Sequence, residues 1–140
     1  MKKLLFILTV ILSYSTGFCD NPSNINTLVD EINESCPINW DYDCTINEVK
    51  FNGYTVSIRM DYGNKKGDFF TTFREDARKN MDQWILSLYK ISPVWEKLMN
   101  ESVANKIHLT LIAYTPNGGV SLKIFPEQIQ KVKEMMEKGE

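Results

Sequence analysis

Histidine is almost missing. His108 is the only imidazole in 140 residues. One imidazole cannot serve a metal site or a catalytic set built on two, and it leaves a single candidate for acid–base work. Basic excess is missing too. The chain has 16 Lys and Arg against 18 Asp and Glu, a net charge of −2, with no basic cluster. That balance argues against nucleic acid as a partner. Long hydrophobic runs are also missing. The run from Leu4 to Leu12, broken only by Thr9, falls well short of the ~20 residues that span a bilayer. The glycines at Gly63 and Gly67 lack the spacing and the strand-to-helix setting of a phosphate loop, so that stretch reads as a connector.

What is present at the start is an export pattern. Lys2 and Lys3 precede the apolar run, and Ser13, Ser15, Thr16 and Gly17 follow it. This predicts a signal peptide over residues 1–19, cleaved near 17–19, and a single α+β domain over residues 20–140. Cleavage after Gly17, cleavage after Cys19 and lipidation of Cys19 are the alternatives, and the bulky Phe18 disfavours the last. Without Lys2 and Lys3 the mature chain carries a net charge of about −4. The expected location is periplasmic or secreted, with membrane attachment only if Cys19 is lipidated. Export implies an oxidising compartment. Cys36 and Cys44 lie close in sequence around Pro37, so a disulfide between them is expected in preference to a metal site.

The chain then reads as alternating periods. Ile25, Leu28, Val29 and Ile32 give a helix over Asn24–Ser35. Thr45–Phe51 and Tyr54–Tyr62 give a hairpin about Asn52-Gly53, which would pair Phe51 with Tyr54 and Val49 with Val56. Ile46 is the apolar exception on its polar face. Thr72 and Glu75 suggest a capping box opening a long helix at Phe73. Its stripe is Phe73, Ala77, Met81, Trp84, Leu88 and Ile91, with Arg74, Asp76, Arg78, Lys79 and Asp82 facing out. Ser92-Pro93 opens a further helix carrying Val94, Trp95, Leu98 and Met99, fading near Asn100. Ile107–Tyr114 and Val120–Phe125 flank Thr115-Pro116-Asn117-Gly118-Gly119 and form the strongest hairpin signal. Pro126 begins a last helix with Ile129, Val132 and Met136. The predicted order is α-β-β-α-α-β-β-α, an antiparallel sheet of two hairpins with helices on one face.

Candidate functional residues are few. His108 alternates with Leu109 and should face away from the core. Asp41, Asp43, Glu48 and Asp61 could pair, but acidic pairs alone do not identify a hydrolase. The stretch between the two cysteines carries Ile38, Trp40 and Tyr42. Aromatics on a rigid loop lose little entropy on binding, so these three are the candidate contacts for a protein or glycan. Equally, Trp40 and Tyr42 could fold back and close the core. No cofactor or metal is implied. The reading is a non-catalytic exported or envelope-associated protein-binding module; a small secreted hydrolase, or a periplasmic inhibitor or immunity protein, is the alternative.

A first helix, Pro37, Val49 in the first strand, an Asn-Gly turn, a helical middle, and Tyr114 before Gly118-Gly119 and Pro126 together form a pattern. It resembles a group of small exported bacterial domains of unknown function. The resemblance implies an envelope location and no known activity. Cys36 with Cys44, and the length of the last helix, depart from it.

Overall fold

The computed structural model of the chain describes residues 22–139 apart from Tyr42, Asn64, Lys66 and Gly67. The expected signal segment, Cys19 and Tyr42 therefore lie outside the described residues. Helix α1 (Pro22–Glu34) forms where Ile25, Val29 and Ile32 recur at helical spacing, and all three are buried. It is followed by β1 (Ile38–Asp41), β2 (Cys44–Phe51) and β3 (Thr55–Asp61). Helices α2 (Phe69–Lys79), α3 (Met81–Tyr89) and α4 (Pro93–Ala104) come next, then β4 (His108–Thr115), β5 (Gly118–Ile124) and α5 (Pro126–Glu137).

The protein is α+β, with the five strands in the order β1-β2-β3-β4-β5. The sheet is mixed, which corrects the wholly antiparallel arrangement expected. β3 and β4 run parallel, from Thr55 beside His108 to Asp61 beside Tyr114. Three helices separate these strands in sequence, and a crossover of that length returns the chain to the end where β3 began. The Tyr62 N–H donates to the Tyr114 carbonyl at 3.0 Å and extends the parallel ladder by one bond.

One face of the sheet is dry. Ile46, Val56, Ile58, Met60, Leu109, Leu111, Ala113 and Ile124 are fully buried. The helices bring Ile85, Leu88, Trp95, Leu98, Met99, Ile129 and Val132 to the same core. The opposite face carries Ser57, Arg59, Asp61, His108, Thr110, Ile112 and Tyr114, partly or fully exposed. This is the one-sided sheet that the alternation predicts.

Register departs from expectation in the first hairpin. Phe51 pairs with Val56, and Val49 with Ile58. The turn is wider than two residues because the Asn52 side chain organises it. Its Oδ1 accepts from the N–H groups of both Tyr54 and Thr55 at 2.8 Å. Tyr54 is left exposed at the tip. Further along, the register shifts between Ile46 and Glu48. This bulge turns Ile46 into the core and Asn47 outward, which removes the exception noted in the sequence. The second hairpin pairs as its pattern suggests: Leu109 with Ile124, Leu111 with Leu122 and Ala113 with Val120. Its turn places Gly118 at φ +137°, a conformation that favours glycine.

The helical middle is longer and more divided than expected. α2 begins at Phe69, so Thr72 lies inside the helix and caps nothing. Phe69, Phe70 and Phe73 pack with Tyr62, Ala113 and Val120, and that apolar cluster holds the extra turn. The helix then breaks at Asn80, with φ −118° and ψ 26°. There the Asn80 N–H donates to the Asp76 carbonyl at 2.9 Å, and its side-chain amide donates to Asp76 Oδ1 at 2.9 Å. Local bonding of this kind competes with helix continuation. Ser92 and Pro93 open α4 as read: Ser92 accepts from the Trp95 N–H and Pro93 takes the first turn.

The expected Cys36–Cys44 disulfide is not formed. The stretch read as a covalent loop is a strand. β1 pairs antiparallel with β2, Asp41 opposite Cys44 and Ile38 opposite Ile46. β1 begins at Ile38, so Cys36 lies outside the ladder beyond its Ile38 end, while Cys44 stands at the other end opposite Asp41. Cysteines whose Cα atoms lie more than ~7 Å apart cannot be bridged without moving backbone.

Candidate functional site

Ile38 and Trp40 occupy alternate positions of β1, and Ile38 pairs with the buried Ile46. Both side chains therefore turn toward the helical side of the sheet, where both pack against the core as partly buried residues. Trp40 meets Trp84 of α3 edge to face, with ring centroids 5.4 Å apart at 72°. Trp84 meets Phe73 at 5.2 Å and 73°, and Phe73 meets Tyr62 at 5.8 Å and 78°. Edge-to-face pairs such as these each add ~0.5–1.5 kcal/mol beyond area burial. The row of rings fixes where Trp40 can sit.

Against that wall lies a cleft of about 310 Å³, lined by Trp40, Trp84, Asp76, Asn80, Gln83 and Ser87. The polar residues come from α2, the Asn80 break and α3. Asp76 Oδ1 accepts from Asn80 at 2.9 Å, and no ion-pair partner for Asp76 occurs among the described residues. Ser87 Oγ donates to the Gln83 carbonyl at 2.9 Å. The Trp40 indole N–H is buried without an acceptor among the described residues. A dry, unpaired donor costs about 1–3 kcal/mol. Ile38, two residues earlier, faces a second cleft of about 230 Å³ with Ile32, Ile91, Val94 and Trp95.

The structure thus brings two of the three sequence candidates together on one strand and gives each its own cleft. Trp40 both closes the rim of the core and walls a cleft, so neither alternative from the sequence describes it fully. Asp76, Asn80, Gln83 and Ser87 were missed as site residues. Their spacing, four, three and four residues, traces a polar helical stripe beside Trp84, and that was the available signal.

The other candidates lie elsewhere. His108 is on the outer face, where its Nε2 shares a hydrogen bond of 2.9 Å with Thr55 Oγ1. Asp43 pairs with Lys65 at 2.7 Å. Asp61 accepts from Asn47 and from Arg59 Nε, the latter at 3.3 Å, while Arg59 also lies 4.4 Å from the centre of the Tyr114 ring. Glu48 pairs with Lys50 at 3.4 Å. These acids are spent on exposed ion pairs, each worth ~0–1 kcal/mol. Among the described residues no three His, Cys, Asp or Glu side chains converge as a metal site. No described helix is long and apolar enough to cross a membrane.

No protein-family model matches the chain, and no curated protein matches it significantly in sequence. Solved structures do resemble it in fold. One is a Pseudomonas aeruginosa protein described as secreted: TM-score 0.53, 10% identity, covering 75% of this chain and 88% of that one. Another is the pilotin of the Vibrio vulnificus type 2 secretion system, with TM-score 0.46, 10% identity, and coverage of 79% of this chain and 98% of that one.

Proposed function

We propose that the chain is an exported, non-catalytic module that binds another protein in the bacterial envelope or outside the cell. One observation carries this reading. An aromatic pair, Trp40 and Trp84, opens at the sheet edge into a cleft rimmed by Asp76, Asn80, Gln83 and Ser87. Rigid aromatics bordered by polar groups are the usual anchors of a protein interface. The cleft offers no nucleophile–base pair: its ionisable group is Asp76, and His108 is bonded to Thr55 on the other face of the sheet. Export rests on the sequence pattern of residues 1–19. The type of small envelope domain that the sequence resembles fits the same location.

The test is capture from a native envelope extract with the mature protein as bait. A partner should be retained by wild type and by His108→Ala, and lost by Trp40→Ala and Trp84→Ala variants whose folding has been checked. Equal capture by all four proteins, or no specific capture by wild type, refutes the reading.

A further inference from the structure

We propose that the partner is recognised as an extended segment that adds to the free edge of β1 and sets a basic and an apolar side chain into the two clefts beside it. This rests on the protein-binding reading above and names the form and chemistry of the partner.

Three features lead there. Among the described residues β1 is the terminal strand of the sheet and pairs only with β2. An edge strand presents unpaired N–H and C=O groups, a ready template for another strand. Second, Ile38 and Trp40 each line a separate cleft. Residues two apart on a strand sit about 7 Å apart on one face. The register of β1 with β2 shifts between Asn39 and Asp41, which leaves Trp40 as the extra residue of a bulge. A strand laid against β1 sets its alternate side chains on the same side, one at Ile38 and one at this bulge. Third, the two clefts differ in chemistry. The one at Ile38 is walled mainly by the apolar Ile32, Ile91, Val94 and Trp95, with Glu31, Ser35 and Ser92 also in its lining, and suits an aliphatic or aromatic residue. The one at Trp40 holds two indoles and the Asp76 carboxylate, which has no cationic partner among the described residues. A guanidinium or ammonium there gains a ring face and a counter-charge together. In antiparallel addition the segment reads basic, any residue, apolar.

Two properties distinguish this from docking of a folded surface. The main chain of the ligand must contribute, and the charge of Asp76 must matter. The probe is a short fluorescent peptide of threonines and valines carrying arginine and leucine two positions apart, with a second peptide in the reverse order. Binding to the intact mature protein is followed by anisotropy. Saturable binding of the first peptide is expected, about tenfold tighter than the reverse. N-methylation of alternate backbone nitrogens in one register should abolish binding, and in the other register should leave it nearly unchanged. Asp76→Asn keeps the acceptor for Asn80 and should weaken the arginine peptide about tenfold, while leaving a norleucine analogue unaffected.

Absence of binding by either peptide, or equal effects of both methylation registers, overturns strand addition. Indifference to Asp76→Asn overturns the basic preference. A partner still captured through Trp40 and Trp84 from extract, together with no peptide binding, refutes this inference and leaves the protein-binding reading standing. No specific capture by the wild-type protein, or equal capture by the Trp40→Ala and Trp84→Ala variants, refutes the reading itself.

Discussion

The side chain of Asn33 closes both backbone hydrogen bonds of Val49. Its Nδ2 donates to the Val49 carbonyl at 2.8 Å, and its Oδ1 accepts from the Val49 N–H at 2.9 Å. β1 reaches only as far along β2 as Ile46, so among the described residues the far half of β2 has no strand on that side. Asn33, at the end of α1, stands in for one residue of the missing partner. It also ties the helix to the sheet at a fixed height.

Asn33→Ala should therefore destabilise the protein by about 2 kcal/mol, since it strands a donor and an acceptor in a partly buried place. Asn33→Asp keeps the acceptor alone and should recover part of the loss at most. Urea unfolding of the three proteins measures this. A loss under ~0.5 kcal/mol for the alanine variant would show that water replaces the amide without cost.

Trp84 and Trp95 should separate by burial. Trp95 is 1% exposed, whereas Trp84 is only partly buried at the cleft wall. The sequence pattern assigned Trp84 to the core stripe, and the break at Asn80 leaves one side of it facing the cleft. Trp95→Ala should cost about 3–5 kcal/mol and Trp84→Ala about 2 kcal/mol. The reverse order, measured by denaturant midpoint at constant m, would contradict the packing described.

The cysteine chemistry gives a third test. Both Cys36 and Cys44 should label in the denatured, unreduced protein, because the ladder holds them apart. In the native state Cys44 is buried and should label only on unfolding. Cys36 should label slowly near neutral pH. Burial raises its thiol pKa above the usual value, and the nearby Glu48 charge raises it further, so little of the reactive thiolate is present. Glu48→Gln should speed that labelling. Mapped labelling that finds both sites blocked without reductant would restore the disulfide.

How far the sequence was readable depended on the range of the cause. The hairpin from His108 to Ile124 was legible because its determinants are local: alternating Leu109, Leu111, Leu122 and Ile124 about Pro116 and Asn117. The parallel pairing of β3 with β4 was not, since nothing in Val56 or Leu109 says which neighbour each will meet. The bulge at Ile46 showed itself only as an apolar residue on the wrong face. β1 was hidden by the flanking Cys36 and Cys44, whose spacing suggested a covalent loop. Of the site, Trp40 and Ile38 could be singled out as anchors lacking an assigned place. The polar rim could not, because a wet helical face and a cleft wall have the same composition until a second element, here β1, stands opposite.

Lys106 marks a place where the chain works against its backbone. It adopts φ +55° just after α4, while its N–H donates to the Val103 carbonyl at 3.1 Å and the Ile107 N–H donates to the Ser102 carbonyl at 2.8 Å. Those bonds close the helix end and require a left-handed residue. A side chain there costs ~1–2 kcal/mol. Lys106→Gly should stabilise the protein by about 0.5–1 kcal/mol, part of the relief being lost to greater freedom of the unfolded chain. Destabilisation by the glycine would show that the Lys106 side chain contributes more than its backbone geometry costs.

Tyr89 should govern part of the alkaline limb of stability. Its hydroxyl donates to Asn100 Oδ1 at 3.0 Å, joining α3 to α4. Burial, followed by the charges of Glu96 and Glu137, pushes its pKa up to about 12. An unfolded tyrosine ionises near pH ~10. Between these values the unfolded chain holds fewer protons than the folded one, so stability must fall as pH rises. The contribution is complete below about pH 10 and declines up to about pH 12. Tyr89→Phe cannot ionise. It should lose the bond to Asn100, about 1 kcal/mol at neutral pH, yet show a shallower alkaline decline. The gap between variant and wild type should therefore narrow when urea unfolding is compared at about pH 8 and about pH 11. Parallel curves would mean that the phenol titrates alike in the folded and unfolded chains.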